Sequence, residues 1–410
     1  MPEKLIGAAV FGQSGGPTSV INASAYGVIR TALDAPEITN VYGMAHGIVG
    51  VLNDTLYDMG KEDADELALL LNTPSSALGS CRYKINGEED LKRIHEICVK
   101  YNIRYFFYNG GNDSMDTCNK VSAYMNKVGY ECRVMGVPKT IDNDLVGTDH
   151  CPGFGSAAKY IATSIAEVHE DAYVYDTGAI TIVEIMGRNA GWLTGASALA
   201  GLSGSPPDLV YLPELPFDMD AFLKDVEAIY KRKTKCLVTI SEGAQYADGT
   251  FVSHAKTSAT DGFGHAQLGG TAAQLAAVVN KKLGVKVRGI ELSLLQRCAA
   301  HLASQTDIDE AFLAGKSAVE YALSGGSGKM VCFTRETKNG AYHCGIAYEP
   351  LDICANTEKK IPREWITDCG THVKQEFIDY VLPLIQGDNS RKQVESMPRF
   401  AKLKKIKAEI

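Results

Sequence analysis

The sequence YFFYNGGNDSMDTCNKVSAYMNKVGYECRVMGVPKTIDND, residues 105–144, decides the fold class. An apolar run at 105–108 leads into a turn with two glycines, a helical pattern follows at 113–127, and a second apolar run lies at 133–137. Short apolar runs separated by a helix are typical of parallel strands joined by a right-handed crossover. This stretch therefore predicts a β-α-β unit.

The same alternation extends in both directions along the chain. Further strands are predicted at 6–11, 179–185, 209–212, 236–240 and 329–333, and further helices at 20–33, 155–171, 218–231, 269–283 and 309–323. The pattern indicates an α/β protein with mainly parallel sheets that are covered on both faces. Ligands of such sheets bind beyond the carboxyl ends of the strands, so the turns that follow strands are the candidate binding segments.

Composition limits the classes of function. A chain of 410 residues predicts two or three domains, and a formal charge of −8 argues against general nucleic-acid binding. No run of 18 apolar residues and no signal-peptide pattern occurs, so no membrane segment is expected. Eleven cysteines without Cys-x-x-Cys spacing favour a reducing cytoplasm over disulfides or structural zinc. The basic tail, residues 390–410, is interpreted as a solvated final helix.

Three turns after predicted strands have sequences that suit a phosphate group. They are GQSGGPT at 12–18, NGGNDS at 109–114 and PKTIDND at 138–144. Glycines let the backbone approach an anion closely, and a following helix presents its free N–H groups to it. The first turn has neither the Rossmann spacing nor a Walker A lysine. Together the three turns predict a phosphate site at one edge of a sheet.

The third turn also carries catalytic chemistry. Asp142 and Asp144 can divide proton abstraction and metal binding between them, while Lys139 supplies positive charge to a phosphoryl group in transfer. In the second turn Asp113 stands where a phosphate would bind, and there it requires a compensating cation or Mg²⁺. The alternative is that Asp113 only caps the helix that follows.

The motifs GGNDS at 110–114, PKTIDND at 138–144 and MGRNAGW at 186–192 resemble the signature blocks of the phosphofructokinases, specifically of the pyrophosphate-dependent branch. The block LGSCR at 78–82 and the pair Gln296–Arg297 fit as well, and the resemblance extends over about residues 5–335. It implies two similar doubly wound domains with the active site in the cleft between them. Residues 1–152 plus about 298–350 would form the phosphoryl-donor domain, and 153–297 plus about 351–410 the sugar-phosphate domain.

The resemblance also implies a reaction and roles for individual residues. A phosphoryl group would pass reversibly from pyrophosphate to the 1-hydroxyl of fructose 6-phosphate, with Asp142 as the base and Lys139 and Asp113 in the catalytic set. The donor phosphates would be bound by Gly15 (through its N–H), Arg82, Asn112 and Thr140, and Mg²⁺ by Asn112 and Asp144. The acceptor would be bound by Thr140, Asp142, Met186, Gly187, Arg188, Glu242, Arg288 and Arg297, the last two holding its 6-phosphate. One such arginine comes from a neighbouring subunit in this family, which implies a homo-oligomer, either a dimer or a tetramer.

Some positions depart from the ATP-using relatives. Asn112 replaces their metal-associated Asp, while Ala179 and Leu294 replace an Arg and a His of the acceptor pocket, so another acceptor such as sedoheptulose 7-phosphate stays open. ATP users have Gly where this chain has Asp113 and Lys139; the carboxylate would repel the α-phosphate of ATP, and the lysine would attract pyrophosphate. An ATP-dependent phosphofructokinase and a non-catalytic regulatory subunit that binds sugar phosphate are the alternatives.

Overall fold

The computed structural model describes residues 4–253, 268–355 and 358–409. The strands in these ranges are β1 (Gly7–Gln13), β2 (Ile38–Met44), β3 (Leu56–Asp58), β4 (Ile103–Gly110), β5 (Arg133–Pro138), β6 (Ala179–Ile185), β7 (Leu209–Tyr211), β8 (Lys235–Ser241), β9 (Val287–Glu291), β10 (Lys329–Lys338), β11 (Ala341–Pro350), β12 (Gln393–Val394) and β13 (Met397–Pro398). They form a seven-stranded first sheet in the order β11-β10-β5-β4-β1-β2-β3, a four-stranded second sheet in the order β7-β8-β6-β9, and the small hairpin β12-β13. The second sheet is entirely parallel, and the first is parallel except at its two edge strands, β3 and β11.

Helices cover both sheets. The α-helices of the described ranges are α1 (Ile21–Asp34), α2 (Ile48–Leu52), α3 (Ala64–Ala68), α4 (Glu88–Lys100), α5 (Asn112–Lys127), α6 (Phe154–Tyr173), α7 (Trp192–Ala196), α8 (Met219–Lys233), α9 (Thr271–Leu283), α10 (Leu295–Cys298), α11 (Gln305–Leu323), α12 (Leu351–Cys354) and α13 (Gln375–Val381). Among these residues no helix is long and apolar enough to span a bilayer.

Each sheet has a hydrophobic core on both faces. In β1, Ala8 and Val10 pack into one core, whereas Ala9 and Phe11 pack into the core on the opposite face. The second sheet is likewise buried between two cores. Successive side chains of a strand point to opposite faces, so a strand that is buried on both sides is continuously apolar. The predicted α/β class with mainly parallel sheets is confirmed.

Helix α11 packs on α1 and so joins the first sheet late in the chain. A Cβ atom built on Gly27 would lie 2.2 Å from the Phe312 carbonyl oxygen, and one on Gly315 would lie 2.1 Å from the Ser24 carbonyl oxygen. Only glycine permits so close an approach of the two backbones. The contact assembles the first sheet and its helices from both ends of the sequence.

The elements predicted from the sequence are present with small shifts of their ends, but others were missed, among them β2, β3, α4, β9 and β11. The final helix predicted for residues 390–410 is wrong: residues 390–409 contain the hairpin β12-β13 and no helix, and Lys407 pairs with Tyr57 of β3. Asp58 N–H donates to the Ile406 carbonyl and Ala408 N–H to the Leu56 carbonyl, each at 2.9 Å. The end of the tail therefore packs on the first sheet, and Arg399 and Lys404 form ion pairs with Glu66 and Asp63.

Candidate active site

A cleft of about 560 Å³ opens at the carboxyl ends of strands from both sheets. Its lining includes every site residue predicted above except Gly187 and Arg288. The full lining is Gly15, Gly16, Pro17, Arg82, Lys84, Gly111, Asn112, Asp113, Ser114, Lys139, Thr140, Ile141, Asp142, Asp144, Met186, Arg188, Asn189, Ala190, Glu242, Arg297 and Glu358. Turns that are far apart in sequence meet here because parallel strands end at the same edge of a sheet.

The glycine turn after β1 lies beside the catalytic loop after β5. Gly15 N–H donates to the Cys81 carbonyl at 3.0 Å, and its expected contact with the donor phosphates stays a prediction. Gly15 has φ = +75°, and a Cβ built on it would lie 3.2 Å from Lys139 Nζ. Lys139 Nζ in turn donates to the Gly16 carbonyl at 2.6 Å. The missing side chain thus leaves room for the lysine.

Two arginines converge on the next glycine. A Cβ built on Gly16 would lie 3.1 Å from a guanidinium nitrogen of Arg297 and 3.6 Å from a guanidinium nitrogen of Arg82. Burial and the positive charges of Arg297 and Arg188 lower the pKa of Arg82. Repelling cations held together in this way favour an anionic ligand. Arg297 therefore lies beside the predicted donor arginine, and its role toward the sugar 6-phosphate stays a prediction.

Asp113 lies in the first turn of α5 and pairs with a lysine that the sequence analysis did not single out. Lys84 Nζ is 3.1 Å from Asp113 Oδ1. The N-cap position of α5 is Gly111, so Asp113 is not the plain helix cap that was the alternative. Lys84 instead supplies the compensating cation that a carboxylate in a phosphate site requires.

The loop after β5 holds three ionisable groups of the cleft: buried Lys139 and the half-buried Asp142 and Asp144. Lys139 is 3 % exposed, and desolvation lowers its pKa to about 8. Burial also raises the pKa of Asp142, and burial together with the charge of Asp142 raises the pKa of Asp144 to about 7. Both carboxyls therefore hold a proton more readily than an exposed aspartate does.

Asn143 fixes the backbone between these two aspartates. It has φ = +56°, which asparagine tolerates better than most residues. Its amide donates to the Tyr380 hydroxyl at 2.9 Å and accepts from Cys151 N–H at 3.0 Å. Asp142 N–H donates to Thr140 Oγ1 at 3.1 Å. The loop is thus held in one shape by contacts from distant parts of the chain.

On the opposite side of the cleft, the block after β6 faces Glu242, which follows β8. Gly187 N–H donates to Glu242 Oε1 at 3.4 Å, and the Gly187 carbonyl accepts from the Ser241 hydroxyl at 2.6 Å. Burial and the charge of Asp142 raise the pKa of Glu242 to about 7. Gly187 therefore lies behind the cleft surface and orients Glu242, while Met186 and Arg188 line the cleft.

Arg288 lies outside this cleft. It is on β9 and forms an ion pair with Asp171 at 3.1 Å. Both residues line a second pocket of about 360 Å³ together with Lys235 and Lys286. The structure thus does not bring Arg288 to the cleft of its own chain.

Four polar side chains of the cleft were missed as site residues: Lys84, Ser114, Asn189 and Glu358. Lys84 follows the LGSCR block by two residues, and Asn189 is inside the MGRNAGW block, so both had a local signal. Glu358 had none, because it lies beyond every motif of the sequence.

Comparison with known proteins gives a consistent result. The family model described as phosphofructokinase matches residues 8–320. The chain is 44 % identical over 98 % of its length to the pyrophosphate–fructose 6-phosphate 1-phosphotransferase of Halomonas elongata, of which 97 % is covered. It is 43 % identical to the protein of the same name from Methylococcus capsulatus, over 96 % of this chain and 95 % of that one. The crystal structure of pyrophosphate-dependent phosphofructokinase from Marinobacter aquaeolei superposes with a TM-score of 0.89 at 42 % identity, covering 99 % of this chain and 98 % of that chain.

Proposed function

The chain belongs to the phosphofructokinase family, and from this premise we propose that it transfers a phosphoryl group from pyrophosphate to the 1-hydroxyl of fructose 6-phosphate. The products are fructose 1,6-bisphosphate and phosphate, and the reaction is reversible. Relatives with this activity in their name match almost the whole chain at 43–44 % identity.

One observation carries the mechanism: Lys139 and Asp142 lie in one loop that lines the cleft together with the donor turns and the acceptor block. Asp142 accepts the proton of the sugar 1-hydroxyl as that oxygen attacks phosphorus. Burial suits it to this task, since a carboxylate with a raised pKa is a stronger base. Lys139, together with Arg82, stabilises the negative charge of the phosphoryl group and of the leaving phosphate.

The donor is pyrophosphate because Asp113 and its partner Lys84 occupy the far end of the donor site. Their ion pair presents a carboxylate that would repel the α-phosphate of ATP, while pyrophosphate has no further phosphate to place there. Arg82 and Lys139 would contact the two phosphates of pyrophosphate.

The residues of the cleft also fit Mg²⁺. Asp144 is a half-buried carboxyl whose pKa is raised to about 7 by desolvation and by the charge of nearby Asp142, and a cation would relieve this repulsion. With the amide of Asn112 it offers the oxygen ligands that Mg²⁺ prefers. Asn112 and Asp144 would hold the ion, which when bound neutralises charge on the phosphates.

Arg288 supports a homo-oligomer. Its guanidinium lies in the second pocket with Lys286 and Lys235, away from the cleft of its own chain. A neighbouring subunit that docks at this pocket would receive Arg288 at its sugar 6-phosphate. The location is the cytoplasm, in keeping with eleven cysteines of which none forms a disulfide, all in the described part of the chain.

The test is an assay of the purified protein with fructose 6-phosphate and Mg²⁺, using pyrophosphate or ATP as the donor. Pyrophosphate-dependent formation of fructose 1,6-bisphosphate is expected. A preference for ATP would indicate the ATP-dependent enzyme, and sugar-phosphate binding without turnover would indicate a regulatory subunit. Sedoheptulose 7-phosphate in place of the fructose ester tests the second acceptor.

A further inference from the structure

Glu358 brings a carboxylate into the cleft from a segment outside the range of the family model. The model matches residues 8–320, whereas Glu358 lines the same cleft as Asp142 and Arg188. None of the roles assigned above involves this residue. A carboxylate that faces other carboxylates destabilises the unliganded cleft through charge repulsion, so Glu358 is expected to have a function there.

The segment 358–361, here called the C-terminal strap, is tied to both sides of the cleft. Glu358 forms an antiparallel bridge with Leu145, and Lys359 N–H donates to the Asp144 carbonyl at 2.7 Å. These contacts fasten the strap to the loop of Asp142. On the other side, Trp192 Nε1 donates to the Lys359 carbonyl at 2.9 Å. Main-chain contacts of this kind fix the position of Glu358 whatever its side chain does.

The side chain of Glu358 points toward the acceptor block. Glu358 Oε1 accepts a hydrogen bond from the amide of Asn189 at 2.5 Å. Asn189 follows Arg188 directly, and both line the cleft on the side of the second sheet. The turns assigned to the donor phosphates lie on the first sheet instead. The carboxylate is therefore oriented at the acceptor side of the cleft.

The chemistry of the group narrows what it can bind. A carboxylate repels phosphate, so Glu358 is unsuited to either phosphate-bearing end of the substrates. It accepts hydrogen bonds from hydroxyls strongly, because its charge strengthens the bond. The part of a sugar phosphate that carries hydroxyls lies between its phosphate and its reacting oxygen.

We propose that Glu358 is a substrate-binding residue that accepts a hydrogen bond from a ring hydroxyl of the acceptor sugar, with Asn189 orienting its carboxylate. This rests on the proposed function for the identity of the acceptor. The C-terminal strap then adds a second carboxylate to Glu242, which is also predicted to bind the acceptor.

The experiment compares Glu358→Ala, Glu358→Gln and Asn189→Ala with the wild type in steady-state kinetics. Loss of a charged hydrogen bond to a hydroxyl lowers affinity roughly 10- to 100-fold. The KM for fructose 6-phosphate should therefore rise by about that factor in Glu358→Ala. Glu358→Gln keeps a hydrogen-bond acceptor but not its charge, so it should raise this KM less than Glu358→Ala does. The KM for pyrophosphate should stay within about twofold, because the donor turns are untouched.

Two controls separate binding from folding. Glu364→Ala removes an exposed carboxylate of the same C-terminal region and should leave both KM values unchanged. The double variant Asn189→Ala/Glu358→Ala should be no worse than Glu358→Ala alone, because Asn189 acts through Glu358. Calorimetric binding of fructose 6-phosphate to each variant provides a measurement that does not depend on turnover.

The outcomes are distinguishable. An unchanged KM for the sugar in Glu358→Ala overturns this inference. The proposed function still holds in that case if the wild type phosphorylates fructose 6-phosphate. A change confined to the Mg²⁺ concentration for half-maximal rate also overturns it, since Glu358 would then serve the metal. A wild type that neither binds nor phosphorylates fructose 6-phosphate overturns the proposed function, and with it the acceptor assumed here.

Discussion

Lys84 Nζ lies 3.1 Å from Asp113 Oδ1, so the carboxylate at the donor end of the cleft has its own counter-charge. The side chain of Lys84 is half exposed, whereas that of Asp113 is mostly buried. The pair explains how a negative group can remain beside bound phosphates. It also adds Lys84 to Asp113 and Lys139, the two residues proposed to select the donor.

Asp113→Gly should let weak ATP-dependent activity appear. The change removes the carboxylate that would repel the α-phosphate and leaves Lys84 to attract it. Initial rates with each donor at saturating fructose 6-phosphate measure the effect. Lys84→Ala is the matched control: it leaves Asp113 uncompensated and should raise the KM for pyrophosphate by only a few-fold, as expected for a partly exposed pair. If Asp113→Gly leaves ATP unused and pyrophosphate activity unchanged, the account of donor choice is wrong.

Lys139→Gly should slow pyrophosphate-dependent turnover by about a hundredfold or more, since a charged contact in a closed site contributes a few kcal/mol. Lys139 is buried, and its Nζ is held 2.6 Å from the Gly16 carbonyl, so the charge is fixed in place. Lys139→Met separates charge from volume, because it removes the ammonium and keeps most of the chain. A near-normal kcat for Lys139→Met would contradict a role for the charge.

Much of this site could be predicted because its residues follow apolar strands. Lys139 and Asp142 come directly after β5, and an apolar run followed by polar residues is visible in one sequence. Parallel topology then brings such strand ends together without further information. Glu242, which follows β8, was instead predicted from the family resemblance, and β9 was missed because Arg288 and Gly289 interrupt its short apolar pattern.

What the sequence could not reveal depends on contacts between distant residues. Glu358 reaches the cleft only because the C-terminal strap pairs with Leu145. The Gly15 N–H is taken by Cys81, a partner that no local pattern indicates. The composition of the tail predicts a helix, but hydrogen bonds to β3 hold its last residues along the first sheet instead. Tertiary contacts decided each of these three cases.

Asp142→Asn should lower kcat by roughly two to four orders of magnitude with little change in substrate binding. The amide keeps the shape of the side chain but cannot take the proton of the attacking hydroxyl. Single-turnover rates and calorimetric binding of fructose 6-phosphate measure the two effects separately. Near-normal turnover would show that another group is the base.

Mixtures of Arg288→Ala and Asp142→Asn chains should regain part of the lost activity if Arg288 acts in a neighbouring cleft. Hybrid oligomers then contain some clefts with an intact Asp142 and an intact Arg288 from the adjacent subunit. Activity is measured after the two variants are unfolded and refolded together, with hybrid formation checked by differently tagged chains. Hybrids without any recovered activity would mean that each chain forms its own site.

His150→Gln should destabilise the protein more at pH 6 than at pH 9. His150 Nδ1 lies 2.9 Å from Asp149 Oδ2 and its Nε2 lies 2.7 Å from Glu310 Oε2, with Phe333 and Tyr342 packed against the ring. Burial alone would lower the pKa of His150, but its bonds to the two carboxylates raise it above the usual 6.5. The charged imidazole therefore stabilises the folded state fully below about pH 6.5, and this stabilisation is lost as the pH rises through the folded pKa.

The pKa of Asp149 is lowered to about 2, because its bonds to His150 and Arg335 outweigh the effect of burial, so Asp149 stays ionised between pH 6 and pH 9. Loss of one partner of a buried ion pair costs on the order of 3 kcal/mol, which urea unfolding at pH 6 would detect. The exposed His343→Gln is the control, and an equal loss at both pH values would show that His150 contributes by packing rather than by charge.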